Sequence, residues 1–561
     1  MTLPSLGLFL DYDLLVGEFS VKVALARDYN SFPDFQSGKI YLGGLIVLPT
    51  MRAAPRRCLL IHLAGVLLLT ALAAGQTSEQ RTAHYLDSVR KQPPLLLAFV
   101  HDLPKGGDLH NHLDGAIYAE DFVDFAVDGG LCVDRTTSRL IAPPCDTSCE
   151  NYTAKPAVRC SYGDHVLYNQ MIDAWSMRNW KAGDESGHDH FFGTFEKFGL
   201  ASHTHVAEGI AASTNRAGLD HLQYVEFMHT ADAGGAAKLA GKVEWNPDYA
   251  KMRDALLSAG LKDVAAETSK RLAADDAKAK EILKCETADA APGCDVTVRY
   301  LYQVLRGLPH EIVFVQILLG FELASSDPHF VGLNLVMPED WYVPIHDFNE
   351  HMAMLDYLHG VYPKVHITLH AGELAMGLVP PEDLAFHIRA SVERGHAERI
   401  GHGVSVMNEK DPIGLLHEMA ERNVLVEIAL TSNDVILGVS GDDHPLPIYM
   451  KYGVPVALAT DDEGVSRSDM THEYLRAVES YHLSYGDLKR MARQSLEHSF
   501  LPGQSLWTDT KLVFRMTPAC VGDTAGTEKP SLGCEQFLEA NERARLQWKL
   551  EGEFGKFEKK Y

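Results

Sequence analysis

The chain has 561 residues, 46% of them hydrophobic, and a formal net charge of −25. That length supports a large buried core, either one big α/β barrel or two to four smaller domains. So acidic a balance argues against nucleic acid as a partner, because phosphate binding needs clustered Lys and Arg, and it favours a neutral or cationic small molecule.

In chain order, residues 51–75 read as a secretory signal peptide. Met51-Arg-Ala-Ala-Pro-Arg-Arg57 is basic, the following run is mostly apolar, and Ala-Leu-Ala or Ala-Ala-Gly offers small-residue cleavage. The apolar run is short for a membrane span. Residues 1–50 precede this leader and read as a non-native upstream extension, with Met51 as the true start. The remainder, 76–561, is expected to be secreted or periplasmic without stable membrane association. Eight cysteines remain after the leader is removed, an even count that suits disulfides in an exported chain. Their clustering suggests Cys285 with Cys294, Cys520 with Cys534, and two bridges among Cys132, Cys145, Cys149 and Cys160, the pairing of those four being open.

Short apolar or β-branched runs predict eight strands, at 107–112, 221–229, 312–320, 330–337, 365–370, 399–404, 424–431 and 454–460. Most lack alternation, as expected of parallel strands buried on both faces. Helical patterns lie between them, so the expected fold is α/β, a (β/α)8 TIM barrel with insertions. A Cys- and Pro-rich stretch at about 131–162 reads as a disulfide-stapled insertion. An Ala-, Lys- and Asp-rich stretch at about 248–284 reads as a helical one.

Chemistry-bearing residues gather where these strands run out. In Asp108-Leu-His110-Asn-His112 the two histidines share one face, because strand side chains alternate with period two. His188-Asp-His190, in a polar loop, and His203-Thr-His205, in a helix, lack that setting. His370 and Asp461 end two further strands, completing three His and one Asp around a metal with an open position for water, a set that suits catalytic zinc. Glu373 follows His370 by three residues and can point into the same mouth as a proton donor. His402 in Arg399-Ile-Gly-His-Gly403 is the candidate to orient or deprotonate water. Asp462 stays free to accept a hydrogen bond from substrate.

The segments Lys105-Gly-Gly-Asp-Leu-His-Asn-His-Leu-Asp-Gly-Ala116, His370-Ala-Gly-Glu373, Arg399-Ile-Gly-His-Gly403, Thr431-Ser-Asn433 and Thr460-Asp-Asp-Glu463 resemble, in order over about residues 100 to 500, the adenosine deaminase family of the amidohydrolase superfamily. The resemblance implies one zinc ion on His110, His112, His370 and Asp461, with Glu373 protonating purine N1 and His402 assisting the hydroxide. It also implies that Asp462 contacts N7 and that Asp114 lies near the ribose. The expected reaction is hydrolytic deamination of adenosine, and of 2′-deoxyadenosine, to inosine and ammonia. One departure stands out. Where the family carries an Asp-Leu-x-Gly type sequence, this chain has Asn334-Leu-Val-Met337, so Met337 takes the place of a glycine whose backbone N–H faces purine N3.

Two other readings compete. One keeps the barrel and metal but changes the substrate to another aminated purine. The other is an exported, non-catalytic adenosine-binding or signalling protein, against which intact Glu373 and His402 argue. The cysteine-ligated deaminase signature is absent: His396-Ala-Glu398 has no downstream Pro-Cys-x-x-Cys.

Overall fold

Eight buried segments line up side by side as parallel strands in the computed structural model: β1 (Gly106–His112), β2 (Leu222–His229), β3 (Thr297–Leu305), β4 (Phe330–Val336), β5 (His366–Ala371), β6 (Arg399–His402), β7 (Leu425–Ile428) and β8 (Val456–Leu458). Each pairs with the next in sequence. The ring closes just past β8, where His112 N donates to Asp461 O (3.1 Å) and Asp461 N donates to His110 O (2.9 Å). With helices between successive strands, this is a (β/α)8 barrel.

The structure describes residues 76–149, 153–183, 185–510 and 513–561. Ahead of them it describes only two short antiparallel pairs, Tyr12–Val16 with Phe19–Val23 and Tyr41–Leu42 with Leu45–Ile46. The expected signal peptide at 51–75, and most of the upstream extension at 1–50, lie outside the described residues. Among the described residues, no helix is long and apolar enough to cross a membrane.

Seven of the eight expected strands form, with ends shifted by a few residues, and one is corrected. Residues 312–320 lie inside a helix, His310–Ser326, and the third strand is Thr297–Leu305 instead. The helix is buried on nearly every side from Val313 to Leu323, so its sequence carries no amphipathic stripe and reads as a buried strand. Thr-Val-Arg-Tyr-Leu-Tyr-Gln-Val-Leu is rich in β-branched and aromatic residues, but Arg299 and Gln303 interrupt its apolar run.

The connections carry the extra elements. Residues 131–162 contain a two-residue hairpin, Cys132–Val133 with Leu140–Ile141, and the disulfides Cys132–Cys145 and Cys149–Cys160. Helix α1 (Gly187–Ser202) follows, started by Ser186 Oγ, which accepts from Asp189 N at 2.9 Å. Its Phe198 stacks on Phe122 with ring centroids 4.4 Å apart. His188 and His190, expected in a loop, lie in its first turn, and His203 caps its C-terminus. Residues 248–284 form α2 (Tyr249–Ser258) and α3 (Leu261–Ile282). Cys285 pairs with Cys294 and Cys520 with Cys534.

Candidate active site

The C-terminal ends of the strands bring the predicted side chains to one place. One donor atom from each of His110, His112, His370 and Asp461 lies within 4.8 Å of all the others. His112 Nε2 is 3.1 Å from His370 Nε2, and Asp461 Oδ1 is 3.3 Å from both His110 Nε2 and His112 Nε2.

What aims these rings is a set of partners behind them. His110 Nδ1 donates to Glu427 Oε2 (2.7 Å), His112 Nδ1 to Gln303 Oε1 (2.9 Å) and His370 Nδ1 to Asn334 Oδ1 (3.0 Å). Each partner presents an acceptor, so each ring proton sits on Nδ1 and each Nε2 lone pair points inward. Glu427 is held in turn by Thr368 Oγ1 (3.1 Å) and by Arg399 Nε (2.6 Å), whose guanidinium also reaches Glu226 (2.6 Å). Ser432 Oγ donates to the other Asp461 oxygen at 2.5 Å.

This donor set fits a divalent cation. His110 Nε2 and Asp461 Oδ1 are buried without a hydrogen-bond partner, and the lone pairs of His112 and His370 face each other at a separation that only a shared positive charge relieves. Burial opposes charge on His110, yet Asp461 and Glu427 outweigh it and raise its pKa to about 10, so its Nε2 draws positive charge, a proton where no cation is held.

Glu373 and His402 share the same mouth, with Glu373 Oε1 3.7 Å from His402 Nε2. Burial raises the Glu373 carboxyl well above the ordinary carboxylate range, and Asp461 and Glu339 push it further. Its backbone is pinned by Glu339, which accepts from Glu373 N (2.8 Å) and Gly372 N (3.1 Å) and also pairs with His387. Burial drives His402 down to about 3 against the attraction of Asp461, keeping the ring neutral. Burial pushes Asp462 up to about 8, partly offset by His112. Gly115 is required beside Asp462, because a Cβ there would fall 1.6 Å from Asp462 Oδ1. His402 (φ +67°), Asp461 (+59°) and Met337 (+86°) all sit in the left-handed region, strain concentrated at one site.

His112, His370, Glu373, His402, Asp461 and Asp462 line a cavity of about 600 Å³, together with Asp114 and Met337. Met337 is half-buried on its wall, and its carbonyl accepts from Arg306 Nε at 3.2 Å. Sequence reasoning missed the aromatic lining, Phe191, Phe192 and Phe195 of α1 together with Trp341. The spacing of those phenylalanines was the available signal. It also missed Glu427 and Gln303. The only signal there was a polar residue inside an otherwise apolar strand. No Lys or Arg lines the cavity among the described residues, whereas Asp114, Asp189 and Glu196 do.

Residues 266–507 match the family model described as adenosine deaminase. That stretch of the chain is similar to the adenosine deaminase family. The matched span carries Met337, His370, Glu373, His402, Asp461 and Asp462, while His110, His112 and Asp114 lie before it. Adenosine deaminases of Escherichia coli strains SMS-3-5 and SE11 are each 36% identical over 140 residues, 25% of this chain. The chain spans 39% of the length of these curated relatives. Among solved structures, the apo N6-methyl-AMP deaminase of Arabidopsis thaliana is 19% identical with a TM-score of 0.47, covering 72% of this chain and 94% of that one.

Proposed function

We propose that this protein is a zinc-dependent hydrolase that converts adenosine, and 2′-deoxyadenosine, to inosine and ammonia, with one zinc ion per chain on His110, His112, His370 and Asp461. The observation that carries this reading is Glu373. Its buried carboxyl, kept protonated, stands in the same cavity as the metal-type donor set. Held by those four ligands, zinc would act as a Lewis acid that brings the pKa of water toward about 7.

The chain's own residues do the rest. Glu373 donates a proton to purine N1, which makes C6 electrophilic toward the entering water oxygen. His402 orients that oxygen. Asp462, whose carboxyl pKa burial pushes up, donates to N7, a ring nitrogen that can only accept. The Met337 N–H faces N3, Asp114 lies toward the ribose, and the aromatic wall of α1 covers the substrate from water. Addition at C6 and loss of the amino group as ammonia complete the exchange.

A cavity lined by carboxylates and no Lys or Arg favours an uncharged nucleoside over a nucleotide. Measuring ammonia release from adenosine, 2′-deoxyadenosine, AMP and adenine side by side, with and without a chelator, tests the reading. Adenosine turnover that the chelator abolishes is expected. No turnover of any of them by zinc-loaded protein would overturn it, and a preference for AMP would move the substrate class. We further propose that the chain is exported after removal of residues 51–75, a reading its four disulfides support. An intact mass of exported protein beginning at Met1 would refute it.

A further inference from the structure

His402 is wired differently from the three ligand histidines. They are backed by acceptors, but behind His402 Nδ1, at 3.0 Å, stands the side-chain amide of Asn433 in α4 (Leu430–Leu437). The two ends of an amide look alike in outline, so its direction must come from what lies beyond it. On its far side Asn433 meets His444 Nε2 at 3.0 Å, and His444 Nδ1 meets the backbone N–H of Leu446 at 3.1 Å. A backbone N–H can only donate. His444 Nδ1 therefore accepts, its proton is on Nε2, and Nε2–H donates to Asn433 Oδ1. The amide NH₂ then faces His402, whose Nδ1 accepts. Each step follows from the one before, and His402, Asn433 and His444 are all buried, so water does not blur the direction. Reversing the amide would set its NH₂ against His444, whose own proton would then face the Leu446 N–H, leaving two buried donors opposed. Burial, reinforced by Arg476, holds the His444 pKa down at about 4 and the ring neutral.

We propose that His444, which does not touch the cavity, is a positioning residue that acts through Asn433 to lock His402 in the Nε2–H form, so that His402 donates a hydrogen bond to the oxygen entering at C6 rather than taking a proton from it. His402 Nε2 is buried in the cavity wall with no hydrogen-bond partner of its own, as a donor awaiting substrate or water should be. The contrast with its neighbours has a chemical use. Three rings turn lone pairs inward to hold a cation, and the fourth turns an N–H inward, which a cation repels and an oxygen accepts. Only the identity of that oxygen rests on the deaminase reading. The tautomer does not.

Neutron diffraction from crystals of the metal-loaded protein locates the proton directly. The expected result is hydrogen on His402 Nε2 and none on Nδ1, and hydrogen on Nδ1 would overturn the proposal whatever the protein catalyses. Kinetics supply the second arm. His444→Leu removes the donor to Asn433 and should lower kcat for adenosine by about 10-fold, the low end of the range for groups directly behind a site ligand because Asn433 intervenes, with KM little changed. His444→Gln, whose amide nitrogen reaches a similar point, should recover most of the loss. Equal kcat in wild type and His444→Leu would refute the positioning role. If wild-type protein turns over no purine, the function fails alone and the neutron result still decides the tautomer.

Discussion

Met337 offers a comparison in which the sign of the outcome carries the information. Its φ of +86° lies where L residues are disfavoured, and holding a Cβ in the left-handed region costs about 1–2 kcal/mol. Met337→Gly and Met337→Ala both remove the side chain beyond Cβ, and both keep the backbone N–H and the carbonyl that accepts from Arg306. They differ by one methyl group. At an ordinary extended position glycine is the less stable of the two by about 0.5–1 kcal/mol, because its unfolded chain has more freedom to lose. At Met337 the relief of strain exceeds that loss, so the glycine variant should be the more stable by about 0.5–1 kcal/mol, equivalent to about 0.5–1 °C in a chain of this size. Thermal unfolding of both variants with zinc in excess measures the difference. An alanine variant that melts above the glycine variant would refute the strained backbone. Both substitutions widen the cavity at the same wall, so kcat/KM for adenosine should shift by similar factors in the two.

Three further outcomes are expected. Glu373→Gln should still bind one equivalent of metal by elemental analysis while losing about 10²- to 10⁴-fold in kcat, the usual worth of a positioned proton donor; wild-type turnover in this variant would remove Glu373 from its role. Gln303→Leu deletes the acceptor behind His112 and should weaken metal affinity about 10- to 100-fold in a competition titration with a chromogenic chelator, with the fold retained by circular dichroism. For acid stability, burial alone would raise Glu339, but His387, Arg306 and backbone N–H groups outweigh it and hold its pKa down at about 2. The stabilisation is complete above the ordinary value of 4.5 and is lost as pH falls from there through about 2. Melting temperatures of wild type should therefore fall more steeply from pH 5 to pH 3 than those of Glu339→Gln, and parallel curves would show that Glu339 contributes nothing.

Much of the site was legible because its chemistry is local. His110 and His112 announce themselves by period two on one strand, and His370, His402 and Asp461 by standing where an apolar run meets a turn. The barrel was legible because strands buried on both faces become continuous hydrophobic runs. The same signal failed at residues 312–320, where a helix packed on nearly every side loses its stripe and looks like a strand. It failed again at Thr297–Leu305, where Gln303 breaks the run because it is needed behind His112.

Residue types, their order and their strand-end spacing thus determined which groups gather at the mouth of the barrel. The tertiary structure alone decided how those groups are aimed. Glu427 stands 317 positions from His110, and Asn334 stands 36 from His370. Neither distance has any period a sequence pattern could carry, because both are set by which strands become neighbours when the barrel closes. The direction of the hydrogen bond into His402 likewise depends on His444, 11 residues beyond Asn433 on a separate turn. A side chain's identity is written in the chain, but the position of its proton is settled by the groups that folding brings up behind it.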